Sequence, residues 1–153
     1  GLTLYFFGDN ALYGLGAFHF AMLYFVSLLM GNLFALYYHR DNPYYSAVGA
    51  SGAIMGVVYS SILMFPEMKL ALIFLPIPFP AYLFGIGYLI YTLFGMKSQS
   101  DGIGHTAHLG GAFGGIICTL FYDPTVFEKS FQTLALMLLV TVVAGFIFFK
   151  KRN

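Results

Sequence analysis

The sequence predicts an all-α polytopic membrane protein, and three observations carry that prediction. Only 8% of the 153 residues are charged, against 59% hydrophobic and 20% aromatic. Soluble domains carry about 25% charged residues, so this chain lacks the charge to cover a water-facing surface. Several charge-free runs also approach the roughly 20 residues that a helix needs to cross a bilayer. These runs show no period-two alternation, which argues against a β-barrel. They point instead to helices, whose backbone groups are satisfied internally where no water can reach them.

The elements follow from where charges and turn formers interrupt the apolar sequence. The opening run Leu2 to Phe7 is too short to span by itself. It reads as the tail of a helix that begins upstream of Gly1, with no basic leader region in view. Ala17 to Tyr38 carries no Asp, Glu, Lys or Arg and ends at His39-Arg40-Asp41-Asn42-Pro43. Gly49 to Phe65 follows, closed by Pro66-Glu67-Met68-Lys69. Leu70 to Met96 is long and apolar, and Lys97 to Gly102 reads as a loop. His105 to Tyr122 stops at Asp123-Pro124, and Phe131 to Phe149 ends in Lys150-Lys151-Arg152. The expectation is five spanning candidates plus the leading fragment, in one helical bundle without repeats or linkers.

Two runs depart from regular spans. Gly49 to Phe65 gives about 25 Å of helix against a hydrocarbon core of about 30 Å. A short central helix, met by a loop dipping below the membrane surface, fits that length. Leu70 to Met96 contains Pro76, Pro78 and Pro80. Three prolines at this spacing predict a broken or strongly bent segment.

The net charge of +1 offers no electrostatic case for nucleic acid. Cys118, the single cysteine, sits in an apolar run and reads as a small packing residue. Chemistry is confined to two places. Gly49-Ala50-Ser51-Gly52 opens the short helix, and Gly104-His105-Thr106-Ala107-His108-Leu109-Gly110-Gly111 opens a later one. A G-x-S-G run by itself is weak, because small residues are common where membrane helices pack. A histidine inside a membrane segment is costly and points to function; its structural alternative is a bundle hydrogen bond.

Alternating directions start the Ser51 helix and the His108 helix on the same side, at similar depth. A nucleophile–base pair needs contact at about 2.6–3.2 Å, so the two helices must touch. Glycines permit this: Gly111 and Gly115 lie on the His108 face, and Gly52 and Gly56 repeat the pattern beside Ser51. His105, three residues before His108, competes as the base. His19 and Asn32 are expected to hydrogen-bond between helices. His105 and His108 provide at most two metal ligands, with no carboxylate or thiol to complete a set. Neither a metal nor a cofactor is expected.

The run Ala47-Val48-Gly49-Ala50-Ser51-Gly52-Ala53, followed by Ala107-His108-Leu109-Gly110-Gly111, resembles the paired signature motifs of the rhomboid intramembrane serine proteases. Leu23-Tyr24-Phe25-Val26-Ser27 and Phe94-Gly95-Met96 add to the likeness, which covers roughly residues 1–122. Residues 123–153 would then form an additional C-terminal transmembrane helix with a basic tail.

The resemblance implies a Ser51–His108 dyad that cleaves transmembrane segments of other membrane proteins, with Asp101 left in a loop and no third carboxylate. Gly49, Ser51 and Gly52 would position the nucleophile and the oxyanion. The Ser51 amide, at a helix N-terminus, would donate to it, a contact typically worth about 10²–10³ in rate. A multi-pass protein of a prokaryotic cell membrane is the expected setting.

The chain also departs from the family pattern. The family's His-x-x-x-Asn pair, part of the oxyanion hole, would fall upstream of Gly1. The position four after the serine, often an aromatic that packs on the histidine, is Met55. Some other ring, or none, must orient His108. The alternative reading is a rhomboid-like pseudoprotease that binds membrane helices without cutting them.

Overall fold

A helix in an apolar medium must hide its polar side chains, and these helices do so against one another. A computed structural model describes residues 2–45, 50–72, 75–98 and 103–150, with side-chain environments over 16–45, 50–70, 77–96 and 103–143. Ser27, Ser60, Thr92, His105, Thr106 and Thr119 are buried, whereas Phe25, Leu33, Phe121 and Leu138 are at least 60% exposed. Polar groups inside and large hydrocarbon outside is the distribution for a bundle whose surroundings are themselves apolar.

The described elements run α1 (Leu2–Tyr38), α2 (Ser51–Met64), β1 (Lys69–Leu72), β2 (Leu75–Pro80), α3 (Ala81–Ser98), α4 (His105–Tyr122), α5 (Thr125–Lys129) and α6 (Phe131–Lys150). Within α1 the backbone is non-helical at Gly16, with φ of 78° and ψ of 163°, a kink that separates a leading helix, which holds the Leu2 to Phe7 run as expected, from the helix that follows. Such backbone geometry is open to glycine because it has no Cβ. Past that break, Gly16–Tyr38 is the one segment among the described residues long and apolar enough to cross a membrane by length and composition.

Helices α1, α2 and α4 pack on one another at the centre, α3 lies against α4 and α2, and α6 packs on α3. The contact face of α1 is Leu23, Ser27, Gly31 and Ala35, all buried and spaced by four. That spacing keeps them on one stripe, and three of the four are small enough for close approach. Asn32, one residue off the stripe, is exposed, contrary to its expected role between helices. Buried hydroxyls tie neighbouring elements: Thr119 donates to Ser60 Oγ at 2.7 Å, Tyr59 to the Gly85 carbonyl at 2.7 Å, and Ser130 to the Leu63 carbonyl at 2.6 Å.

Helix α2 has 14 residues, about 21 Å of rise. It stops at Phe65, because the following Pro66 disfavours helical geometry in the residue before it. The run Leu70 to Met96 does not form one bent helix. It divides into an antiparallel two-strand ribbon, Lys69 opposite Pro80 and Leu72 opposite Leu75, followed by α3. The alternating prolines that argued for a broken helix are compatible with an edge strand, where a missing N–H can face away from the partner. The Ala81 amide donates to the Met68 carbonyl at 2.8 Å and joins ribbon to helix.

Candidate active site

Helix α2 begins at Ser51 and helix α4 at His105, and the two run parallel. Their register is fixed by successive contacts: Gly52 against Ala107 and Gly111, Gly56 against Gly111 and Gly115, Ser60 against Thr119. A Cβ on Gly52 would stand 2.9 Å from the Ala107 carbonyl oxygen, and one on Gly111 would stand 2.7 Å from the Gly52 Cα. These are backbone atoms, so no side chain could turn aside to make room. The third helix joins at the same point, because a Cβ on Gly31 would stand 2.6 Å from that same carbonyl oxygen. Three backbones therefore converge one residue away from both Ser51 and His108.

Ser51 is half-buried and His108 is 8% exposed. The residue before Ser51 is Ala50, which has no side chain able to cap the helix, and among the described residues no side-chain cap bond is made there. The first-turn amides of α2 thus keep the hydrogen-bonding capacity and partial positive charge of a helix N-terminus. Gly49, expected to assist at this position, lies outside the described residues, as does Asp101.

Helix α3 passes His108 and His105 in the opposite sense. Tyr88 Oη lies 2.8 Å from His108 Nδ1, with ring centroids 6.0 Å apart. One turn further along, the rings of Tyr91 and His105 meet in a T-shaped arrangement at 5.1 Å between centroids, and Gly95 abuts the His105 ring. The two histidines are thereby distinguished: His105 is 2% exposed and packed against Tyr91 and Gly95, and His108 meets the Tyr88 hydroxyl. Met55, at the position where a ring was sought, is buried in the core.

Tyr88 was not singled out by sequence reasoning. Its only signal is its place on an aromatic-rich helix, and nothing in that pattern says which ring faces a histidine 20 residues later. At the loop end of α1, the His39 ring stacks on Tyr45 at 3.5 Å and 9°, and the Tyr45 hydroxyl lies 3.1 Å from Thr106 Oγ1. His19, at the other end of the bundle, packs on the ring of Tyr122 at 4.4 Å.

A helical bundle with an apolar exterior, a glycine-lined crossing and an internal histidine near a helix start defines a protein suited to apolar surroundings with a buried polar site. The rhomboid domain model matches residues 1–125. The chain belongs to the rhomboid family of membrane proteins.

It is 32% identical over 137 residues to rhomboid protein 1, mitochondrial, of Saccharomyces cerevisiae, covering 86% of this chain and 38% of that protein. It is 32% identical over 126 residues to RHOMBOID-like protein 12, mitochondrial, of Arabidopsis thaliana, covering 72% and 37%. Over 78 residues it is 38% identical to the human presenilin-associated rhomboid-like protein, mitochondrial, covering 48% and 20%. The chain thus spans less than two fifths of the length of these relatives. Their names place them in mitochondria, which runs against the expectation of a prokaryotic cell membrane. No solved structure matches.

Proposed function

We propose that this protein is an intramembrane serine endopeptidase that cleaves transmembrane segments of other membrane proteins through Ser51 and His108. The observation that carries the reading is the parallel crossing of α2 and α4, with Gly52 seated on the Ala107 carbonyl. It supports the reading because Gly52 and Ala107, which adjoin Ser51 and His108 in sequence, meet there, in a bundle whose exterior suits a lipid bilayer.

In this mechanism Ser51 Oγ attacks the scissile carbonyl while His108 Nε2 accepts its proton. The amides of Ser51 and Gly52 donate to the oxyanion, where such donors act in a water-poor site and need no reorganisation. Gly49 belongs to the same loop-to-helix junction by sequence. His108 then returns the proton to the departing amine, leaving an acyl-enzyme. Water, activated by the same imidazole, releases the second product. The substrate must present an extended peptide bond, because a helical one is sheltered by its own backbone. A helix with small or helix-breaking residues near the cut suits this requirement, and neither a metal nor a cofactor takes part.

The test is covalent labelling of the full-length protein in detergent or liposomes with a fluorophosphonate probe. Labelling is expected to vanish in Ser51→Ala and His108→Ala and to persist in His105→Ala. An unlabelled wild type, or equal labelling of Ser51→Ala, would sink the protease reading and favour a helix-binding pseudoprotease.

A further inference from the structure

We infer that Tyr88 is a positioning residue that fixes the tautomer and orientation of His108 through the hydrogen bond to Nδ1. The inference rests on His108 acting as the base and adds a residue to that site. A neutral imidazole has one protonated and one free ring nitrogen, and which is which depends on the bond the other atom makes. If Tyr88 donated its proton to Nδ1, the hydrogen of His108 would sit on Nε2, which could not then accept one from Ser51. If Nδ1–H donates to Tyr88 Oη, Nε2 presents a lone pair toward the nucleophile.

The second arrangement is the one a base requires. It also survives the reaction, since the imidazolium still carries Nδ1–H and the phenol oxygen still accepts it. The bond length of 2.8 Å is that of a full hydrogen bond. Tyr88 is held for this task on its own helix, stacked on Phe84 at 5.9 Å and 25° and tilted against Tyr91 at 5.8 Å. A phenol thus takes the orienting place that a carboxylate holds in a Ser–His–Asp triad, without bringing a buried charge into an apolar bundle. The same residue answers the absence of a ring at Met55, from a different helix.

The experiment uses Tyr88→Phe in the full-length protein, which keeps the ring and removes only the hydroxyl, with Tyr91→Phe as the neighbouring control. Nitrogen-15 spectra of imidazole-labelled protein are expected to show wild-type His108 with a protonated Nδ1 and an unprotonated Nε2. In Tyr88→Phe the signals should move toward a mixture of tautomers. The fluorophosphonate labelling rate should fall about tenfold, the size expected for one hydrogen bond to a catalytic group. On a cleavable membrane-protein substrate the loss should appear in kcat, with KM little changed.

Unchanged spectra together with an unchanged labelling rate in Tyr88→Phe would overturn the assignment. So would a wild-type spectrum with the proton on Nε2. A wild type that never labels would defeat the protease reading alone, and the spectra would still decide whether Tyr88 sets the tautomer.

Discussion

Gly52 rests on the carbonyl of Ala107 so closely that a Cβ there would stand 2.9 Å from the oxygen. Gly31 approaches the same oxygen, within 2.6 Å of a Cβ built there. The position of His108 is therefore held by backbone against backbone, with no intervening side chain to adjust.

Alanine at position 52 should consequently push α2 from α4. Overpacking of this kind costs about 1–3 kcal/mol, and fluorophosphonate labelling should fall further than stability alone explains. Gly87 provides the contrast, because nothing lies within 4 Å of a Cβ built there. Gly87→Ala, within α3, should raise stability by about 0.5–1 kcal/mol through reduced chain entropy. Unfolding both variants in the same detergent measures the difference; equal effects would contradict the crossing geometry.

Gly95 and His105 should be coupled. The ring of His105 occupies the space a Cβ on Gly95 would need, so Gly95→Ala alone should destabilise by about 1–3 kcal/mol. In a His105→Ala background the same substitution should cost little, since the ring has gone. A double-mutant cycle on unfolding free energy reads this directly, and additive effects would show that the two residues do not share that space.

The loop after α1 should loosen in acid. Burial lowers the pKa of His39 below its ordinary 6.5. The unfolded or detached loop then binds the proton more readily than the packed one. Stabilisation from the neutral ring is fully present above pH 6.5 and is lost as pH falls below it toward the depressed value. Neighbouring charges Arg40 and Asp41 pair with each other at 3.6 Å, and the facing ring is Tyr45. Amide exchange over residues 39–45, corrected for intrinsic pH effects, should quicken in that window. His39→Phe, which keeps a stacking ring without a titrating nitrogen, should abolish the change.

Legibility in the sequence followed the range of the interaction. Ser51, His108 and the four glycines stand in short local patterns, and helical spacing alone assigns each to a face. The stripe Leu23, Ser27, Gly31 and Ala35 has the same four-residue spacing, yet its meaning depends on the backbones of α2 and α4 meeting it. The hairpin was hidden because three prolines disrupt a helix and are also tolerated along a sheet edge. Composition cannot choose between those outcomes, and the ribbon's partner strand lies in the same apolar run.

The sequence by itself determined the class of protein, because so few charges leave no means of facing water. It also singled out the candidate residues, since Ser51 and His108 each stand near a helix start beside glycines. Only the tertiary structure decided what surrounds His108. The Tyr88 hydroxyl reaches Nδ1 because α3 passes α4 in the opposite sense at one rotation about its axis. That rotation is set by the packing of α3 against α2, α4 and α6 together, which no local pattern of residues encodes.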